Sequence, residues 1–233
     1  MHGSSLRNKN RRVSLFVGLA LMAVVAVGLF GFWAFRDANA TPEFASLADA
    51  PDTSLVGTVA YLDWERDACL RVVPAAGGPV RTVTCLAGVN GGGAELGWLD
   101  DGRVTVTVYG ESQKIIDITT GAVENVPVAQ VPQVAPDRQP VTVSQDGRRL
   151  TSINDGGRVQ IIVEQNGTTW VLLEAKGGST YEIGTPQWSP DETFVLTTDS
   201  AARLLVTTLG DTPLTRVLAT QLGSGFAVTS VEF

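Results

Sequence analysis

Four acidic residues recur at one interval: Asp67, Glu111, Asp155 and Asp199 stand 44 residues apart, three times over. Carboxylates gathered on one face of a cyclic fold would bind calcium, or a cationic ligand, because oxygen donors suit a hard cation. The same four residues also read as solvated turn acids, which are ordinary in exposed loops. Trp64, Glu65 and Arg66 precede the first of them, and an exposed Trp beside an Arg has the composition of a contact hot spot. Trp64 reads equally well as core packing. The two cysteines, Cys69 and Cys85, each lie eight residues from Gly77. A hairpin centred on that glycine sets them opposite each other across a strand pair, at a separation that suits a disulfide. Two buried free thiols are the other reading.

Nucleophilic catalysis finds little here. The lone histidine is His2, ahead of a long apolar run. Cys-His and Ser-His-Asp arrangements and histidine-ligated zinc therefore lack a member in the rest of the chain. No phosphate loop or cofactor motif is present either, so the expectation is a protein that is not an enzyme and needs no cofactor, calcium apart.

The elements that would position these residues show a repeat. WSPDETFVLTT begins at Trp188, VSQDGRRLTSI at Val143 and WLDDGRVTVTV at Trp98, with starts 45 residues apart, twice. Asp101, Asp146 and Asp191 open a tight turn in each copy, and each turn leads into a β-rich run. A second register lies at the hairpins with glycine tips, Gly77, Gly121, Gly167 and Gly210, spaced by 44, 46 and 43 residues. Asn166-Gly167 is the signature of a type I′ turn, and the other three glycines are expected to supply the same positive φ. A period of about 45 residues holding four short strands predicts an all-β chain, a β-propeller with about four four-stranded blades. In that frame Trp98 and Trp188 are packing between blades rather than a sugar-stacking pair, and Trp170, in an outer strand, is packing too.

The WSPDETFVLTT copy, with WLDDGRVTVTV behind it, resembles the repeat of TolB-like and related WD-repeat-like bacterial propellers over about residues 53 to 233. That family's motif is Trp-Ser-Pro-Asp-Gly before a hydrophobic strand. Here the last copy replaces Gly with Glu192, and the copy at Val143 lacks its Trp. The resemblance implies a propeller fold and carries no activity, because propellers host scaffolds, binders and enzymes alike. The run from Phe226 to Phe233 reads as an unpartnered inner strand. Its pairing with the strand that begins at Gly57 would join the two ends of a four-bladed ring. A fragment of a longer propeller and a ring shared by two chains are the alternatives.

Ahead of the repeats lies an apolar stretch. Residues 1–12 are basic, 13–35 contain no charge, 36–52 are rich in Ala, Pro, Asp and Ser, and 53–233 hold the repeats. The 13–35 run would span roughly 34 Å as a helix, enough for a bilayer core. Arg7, Lys9, Arg11 and Arg12 before it predict a single-pass signal anchor with a cytoplasmic N-terminus and an extracytoplasmic domain at the cell membrane. Cleavage after Ala40 is the alternative. The 36–52 stretch reads as a linker. From Asp37 onward the chain holds all 24 acidic residues but only 12 of the 17 basic ones, an excess of twelve negative charges that disfavours nucleic acid. The resulting expectation is a membrane-anchored binding module that recognises an envelope protein or a ligand. A propeller enzyme or cation-dependent sugar binder, and a sensor or accessory subunit of an envelope complex, are the rivals.

Overall fold

The computed structural model describes residues 32, 34–63, 67–89, 94–100, 102–108, 113–127 and 142–229. Its secondary structure is almost entirely β. β-branched residues at alternate positions, as in RVTVTV and RVQIIVEQ, suit pleated strands packed on at least one face.

The strands form four sheets. The first contains β2 (Thr58–Asp63), β3 (Cys69–Pro74) and β4 (Arg81–Cys85), with β16 (Leu222–Thr229) from the far end of the chain added against β2. The second runs β5 (Ala94–Asp100), β6 (Arg103–Val108), β7 (Gln113–Asp117), β8 (Val123–Val126). The third contains β9 (Arg149–Asp155), β10 (Arg158–Gln165) and β11 (Thr168–Lys176). The fourth runs β12 (Gln187–Trp188), β13 (Phe194–Thr198), β14 (Arg203–Thr208), β15 (Thr215–Thr220), with β1 (Ala45–Ser46) laid parallel to β15.

The expected junction between chain ends is present: Phe226 pairs with Tyr61, Ala227 with Ala60, Val228 with Val59 and Thr229 with Thr58. This makes β2 an interior strand, buried along its whole length. Its alternate residues enter different cores, because successive side chains point to opposite faces. Ala60 and Leu62 join Leu70, Val72, Trp98, Val104 and Ile116 between the first and second sheets. Val59 and Tyr61 join Val73, Phe194, Leu196, Leu204 and Val206 between the first and fourth. A third core sets Leu150, Val159 and Ile161 against Trp188 and Val195, between the third and fourth sheets. The packing order is therefore second, first, fourth, third. Among the described residues no buried cluster joins the second sheet to the third.

The glycine hairpins fall where expected, each between the last two strands of its sequence repeat. Gly77, Gly121 and Gly167 have φ of 89°, 72° and 77°, and Asn166 at 50° completes the type I′ turn. Gly210 differs, since its φ is not positive; the longer link from Thr208 to Thr215 turns without a left-handed residue at that point. Cys69 pairs directly with Cys85 across β3 and β4, and the two form a disulfide. Trp98 and Trp188 are buried between sheets as expected. Trp170 is not packing: it is 44% exposed on β11, which no neighbouring strand covers on its outer side among the described residues.

Two N-terminal expectations change. Among the described residues no helix is long and apolar enough to cross a membrane. The described helical turn at 34–38 rises only about 7 Å. The single-pass anchor, and the cell-membrane placement built on it, are thus not upheld; most of the 13–35 run lies outside the described residues. The 36–52 stretch, read as a linker, is instead a strap on the sheets. Ala40 O accepts the Gly178 N–H at 2.6 Å, Ala38 O accepts the Thr180 N–H at 3.2 Å, and Leu47 is fully buried. Gly77 and Gly178 permit that approach, since a Cβ on either would collide with the strap backbone at Leu47 or Ala38.

Candidate ligand cleft between the first and fourth sheets

The repeated acids do different jobs. Asp67 is exposed and accepts the Gly88 N–H at 2.8 Å. Asp155 ends β9 in the open, opposite Arg158. Asp199 is buried, its side chain fully covered. Glu111 lies outside the described residues, as do Trp64, Glu65 and Arg66. Among the described residues no three acid, histidine or cysteine side chains gather where they could hold a metal ion, so Asp67, Asp155 and Asp199 do not assemble a calcium site.

The Asp turns of the repeat behave alike at two positions. Ser144 and Ser189 each donate from the hydroxyl to Asp146 and Asp191, and each accepts a backbone N–H from beyond the turn. The Ser144 hydroxyl, then Arg148, hold the Asp146 carboxyl down at about 2. Glu192, at the position that Gly102 and Gly147 hold in the other two copies of the turn, adopts φ of 56°. Its carboxylate reaches the neighbouring copy, accepting from Gln145 N at 2.6 Å and Arg148 Nη2 at 2.9 Å. The Glu thus joins equivalent turns of the third and fourth sheets, which a glycine could not do.

Asp199 belongs to a buried ion pair. Its Oδ1 accepts the N–H groups of Ala201 and Arg203, both at 3.0 Å, tying down the start of β14. Its Oδ2 accepts Arg203 Nε at 2.8 Å and the Tyr181 hydroxyl at 3.0 Å. Burial first, then the Asp199 charge, pushes the Tyr181 hydroxyl far up, so it stays a donor. The strap closes the pair from outside: Pro42 O accepts Arg203 Nη1 at 3.0 Å, and the Phe44 ring centre lies 5.4 Å from the guanidinium carbon.

The first sheet builds the same device from Asp63 and Arg71. Asp63 is 1% exposed. Its Oδ1 accepts the N–H of Cys69, the first residue of β3, at 2.9 Å, and its Oδ2 accepts Arg71 Nε at 2.9 Å. In each sheet the register between third and fourth strands shifts beside the arginine, between Leu70 and Arg71 and between Leu204 and Leu205. Such bulges re-aim side chains. Tyr61 pairs directly with Arg71 across β2 and β3, so their side chains share the face toward the fourth sheet. Burial, as the first cause, raises the Tyr61 hydroxyl above its ordinary range.

What differs is the cover. Arg71 and Tyr61 open on a cleft of about 240 Å³ between the first and fourth sheets. Val80, Val217 and Ala219 give it apolar wall, and Gln221 stands at its edge with φ of 61°. A left-handed glutamine is strained backbone, and such strain gathers at ligand sites. Arg71 keeps 28% of its side chain exposed against 15% for Arg203. Among the described residues no protein group hydrogen-bonds the Tyr61 hydroxyl, although only 2% of that residue is exposed. The sequence register missed this pair because the 44-residue spacing selects Asp67, four residues beyond Asp63. The available signal was Asp63 closing the apolar strand TVAYLD, with a lone Arg in the apolar run CLRVV opposite.

No protein-family model matches the chain, and no curated protein does. Among solved structures it is similar to a "putative 6-phosphogluconolactonase" from Bacteroides uniformis, at 15% identity and a TM-score of 0.25 over 72% of this chain and 55% of that one. It is also similar to the N-terminal domain of Nup159, at 10% identity and a TM-score of 0.23 over 70% and 48%. The chain spans about half the length of the structures it matches. Similarity this low carries no argument about function.

Proposed function

We propose that this chain is a small β-propeller of about four blades, of the TolB-like repeat type, and that it works as a binding module rather than an enzyme. The ring reading is supported by four successive sheets, by β16 pairing with β2 across the chain ends, and by cores that pack the sheets in the order second, first, fourth, third. Joining the ends of the chain in one sheet is how such a ring removes an open edge.

The observation that carries the binding function is the cleft between the first and fourth sheets. Residues from separate stretches converge there: Ser46 from the strap, Tyr61 from β2, Arg71 from β3, Val217 from β15 and Gln221 from the link between β15 and β16. A cleft with apolar walls and a few placed polar groups is the usual form of a small-molecule site. Its 240 Å³ lies just below the roughly 300 Å³ at which pockets for drug-sized ligands begin, so the ligand is small. The test is thermal unfolding of the full-length chain against a library of small polar and charged molecules. A binder should raise the midpoint in proportion to its concentration over Kd, and the rise should vanish when Ala219→Trp fills the cleft. A library without a stabiliser, or one whose stabilisers ignore Ala219→Trp, defeats this reading.

A further inference from the structure

We propose that the cleft takes a short extended peptide, which adds a strand to the free edge of β15 and places a small apolar side chain between the sheets. This rests on the binding-module reading and adds the ligand's class.

The cleft lies along the edge of a strand rather than against its face. A strand that lines a cavity with one face contributes alternate residues. β15 and the residue after it contribute Val217, Leu218, Ala219, Thr220 and Gln221 in an unbroken run. The bulge in β15 opposite Leu204 and Leu205 accounts for one repeated residue, not for the run. An edge brings every residue of a strand to the same cavity, and it offers backbone N–H and C=O groups there.

The same edge already carries a strand. Ala45 and Ser46 of β1 pair parallel with Arg216 and Val217, and the Leu47 N–H donates to Val217 O at 2.9 Å. At that point the strap turns away. The Ser46 hydroxyl accepts the Ala48 N–H at 3.1 Å, and the Ser46 carbonyl accepts the N–H groups of Asp49 and Ala50. Ser46 and Ala48 line the cleft where the strap departs. β15 runs on to Thr220, paired with β14 on one side and, past Val217, with no strand on the other among the described residues. β1 thus occupies part of an edge, and the cleft opens along the remainder.

A peptide suits this remainder because its alternating N–H and C=O groups are what a sheet edge recognises, while pockets beside the edge select side chains. Val80, Val217 and Ala219 make the pocket apolar, and its 240 Å³ suits a small side chain with adjoining backbone rather than a folded surface. Arg71, engaged with Asp63, and Tyr61 stand in the opposite wall. β11 is another open edge, but no strand of the protein is seated along it among the described residues. The stretch from Asp37 onward carries twelve excess negative charges, which favours a peptide with basic ends.

The test uses the full-length chain, calorimetric titration and amide NMR, with the capped peptide Lys-Val-Thr-Val-Lys as the probe. Two controls keep its side chains and lose backbone donors: one is N-methylated at both valines, the other at the threonine. The parent peptide should bind, shift the Val217 to Gln221 amides and slow hydrogen exchange for at least one of them. Alternate N–H groups face an edge, so one of the two methylated peptides should bind about tenfold more weakly or worse, the loss expected for backbone hydrogen bonds. Val80→Trp narrows the cleft from an exposed wall residue and should abolish binding without disturbing the core. If both methylated peptides bind as the parent does, strand addition is overturned. If the peptide shifts the Thr168 to Lys176 amides instead, or ignores Val80→Trp, the β15 edge is not its site and the proposal is overturned. If small molecules stabilise the chain through the cleft but the peptide does not bind, the peptide assignment falls and the binding module stands. If neither the peptide nor the wider library acts at the cleft, both readings fall.

Discussion

Asp199 with Arg203, and Asp63 with Arg71, are one local device in two settings. In the fourth sheet the protein completes the pair itself: Tyr181 donates to the carboxylate, and the strap brings Pro42 and Phe44 onto the guanidinium. In the first sheet the corresponding tyrosine and arginine face a cleft. The comparison teaches that a buried ion pair becomes a site or a brace according to what covers it. The pair's own residues do not decide the matter. The strap, a stretch of 36–52 that looks like a linker by composition, brings Pro42 and Phe44 onto Arg203 and lines the cleft beside Arg71 with Ser46 and Ala48.

The largest expected effect separates the two aspartates. Asp199→Ala leaves Arg203 and the Tyr181 hydroxyl without their shared partner under full cover, which should cost about 3–5 kcal/mol. Asp63→Ala should cost less, about 1–3 kcal/mol, because Arg71 keeps 28% of its side chain exposed to water against 15% for Arg203. Urea denaturation of both variants measures this, and equal losses would erase the distinction between brace and site.

Next comes the bridge that only the first sheet has. Reducing Cys69–Cys85 opens a short loop and should lower stability by about 3 kcal/mol. It should also weaken ligand binding, since the bridge joins β4 to the residue whose N–H Asp63 holds. Denaturation and titration in reductant check both, and binding unaffected by reduction would show that β3 positions Arg71 without help.

The smallest and sharpest contrast is one substitution made twice. Tyr181→Phe removes a donor that Asp199 uses, for a loss of about 1 kcal/mol. Tyr61→Phe removes a hydroxyl that no described group uses, so its stability should stay within about 0.5 kcal/mol of the parent. A comparable loss in both would mean that Tyr61 braces the protein after all.

Much of the architecture was legible in the residues. Gly77, Gly121 and Gly167 marked hairpin tips because positive φ is a local requirement. Cys69 and Cys85 were legible as a pair because equal distances from a tip set register. Gly210 and Trp170 were misread for related reasons. A longer link turns without a left-handed glycine, and alternation within a strand does not reveal which strand lies at an edge.

The site was less legible. Spacing by 44 residues tracks repeats only while loops keep their length, and the loop after Asp63 does not match the turn at Asp199, so the register chose Asp67 in place of Asp63. Local chemistry, carried by neighbours in the chain, was enough to determine the strands and most of the turns, while the disulfide and the pairing of the last described strand with β2 were expectations with rivals that the fold then selected between. Only the tertiary structure decided that the strap's Pro42 meets Arg203 and that Arg71 lines a cleft. That depends on where the strap lies against sheets more than a hundred residues away in sequence, a contact set by packing and by room beside Gly77 and Gly178, which no periodicity records.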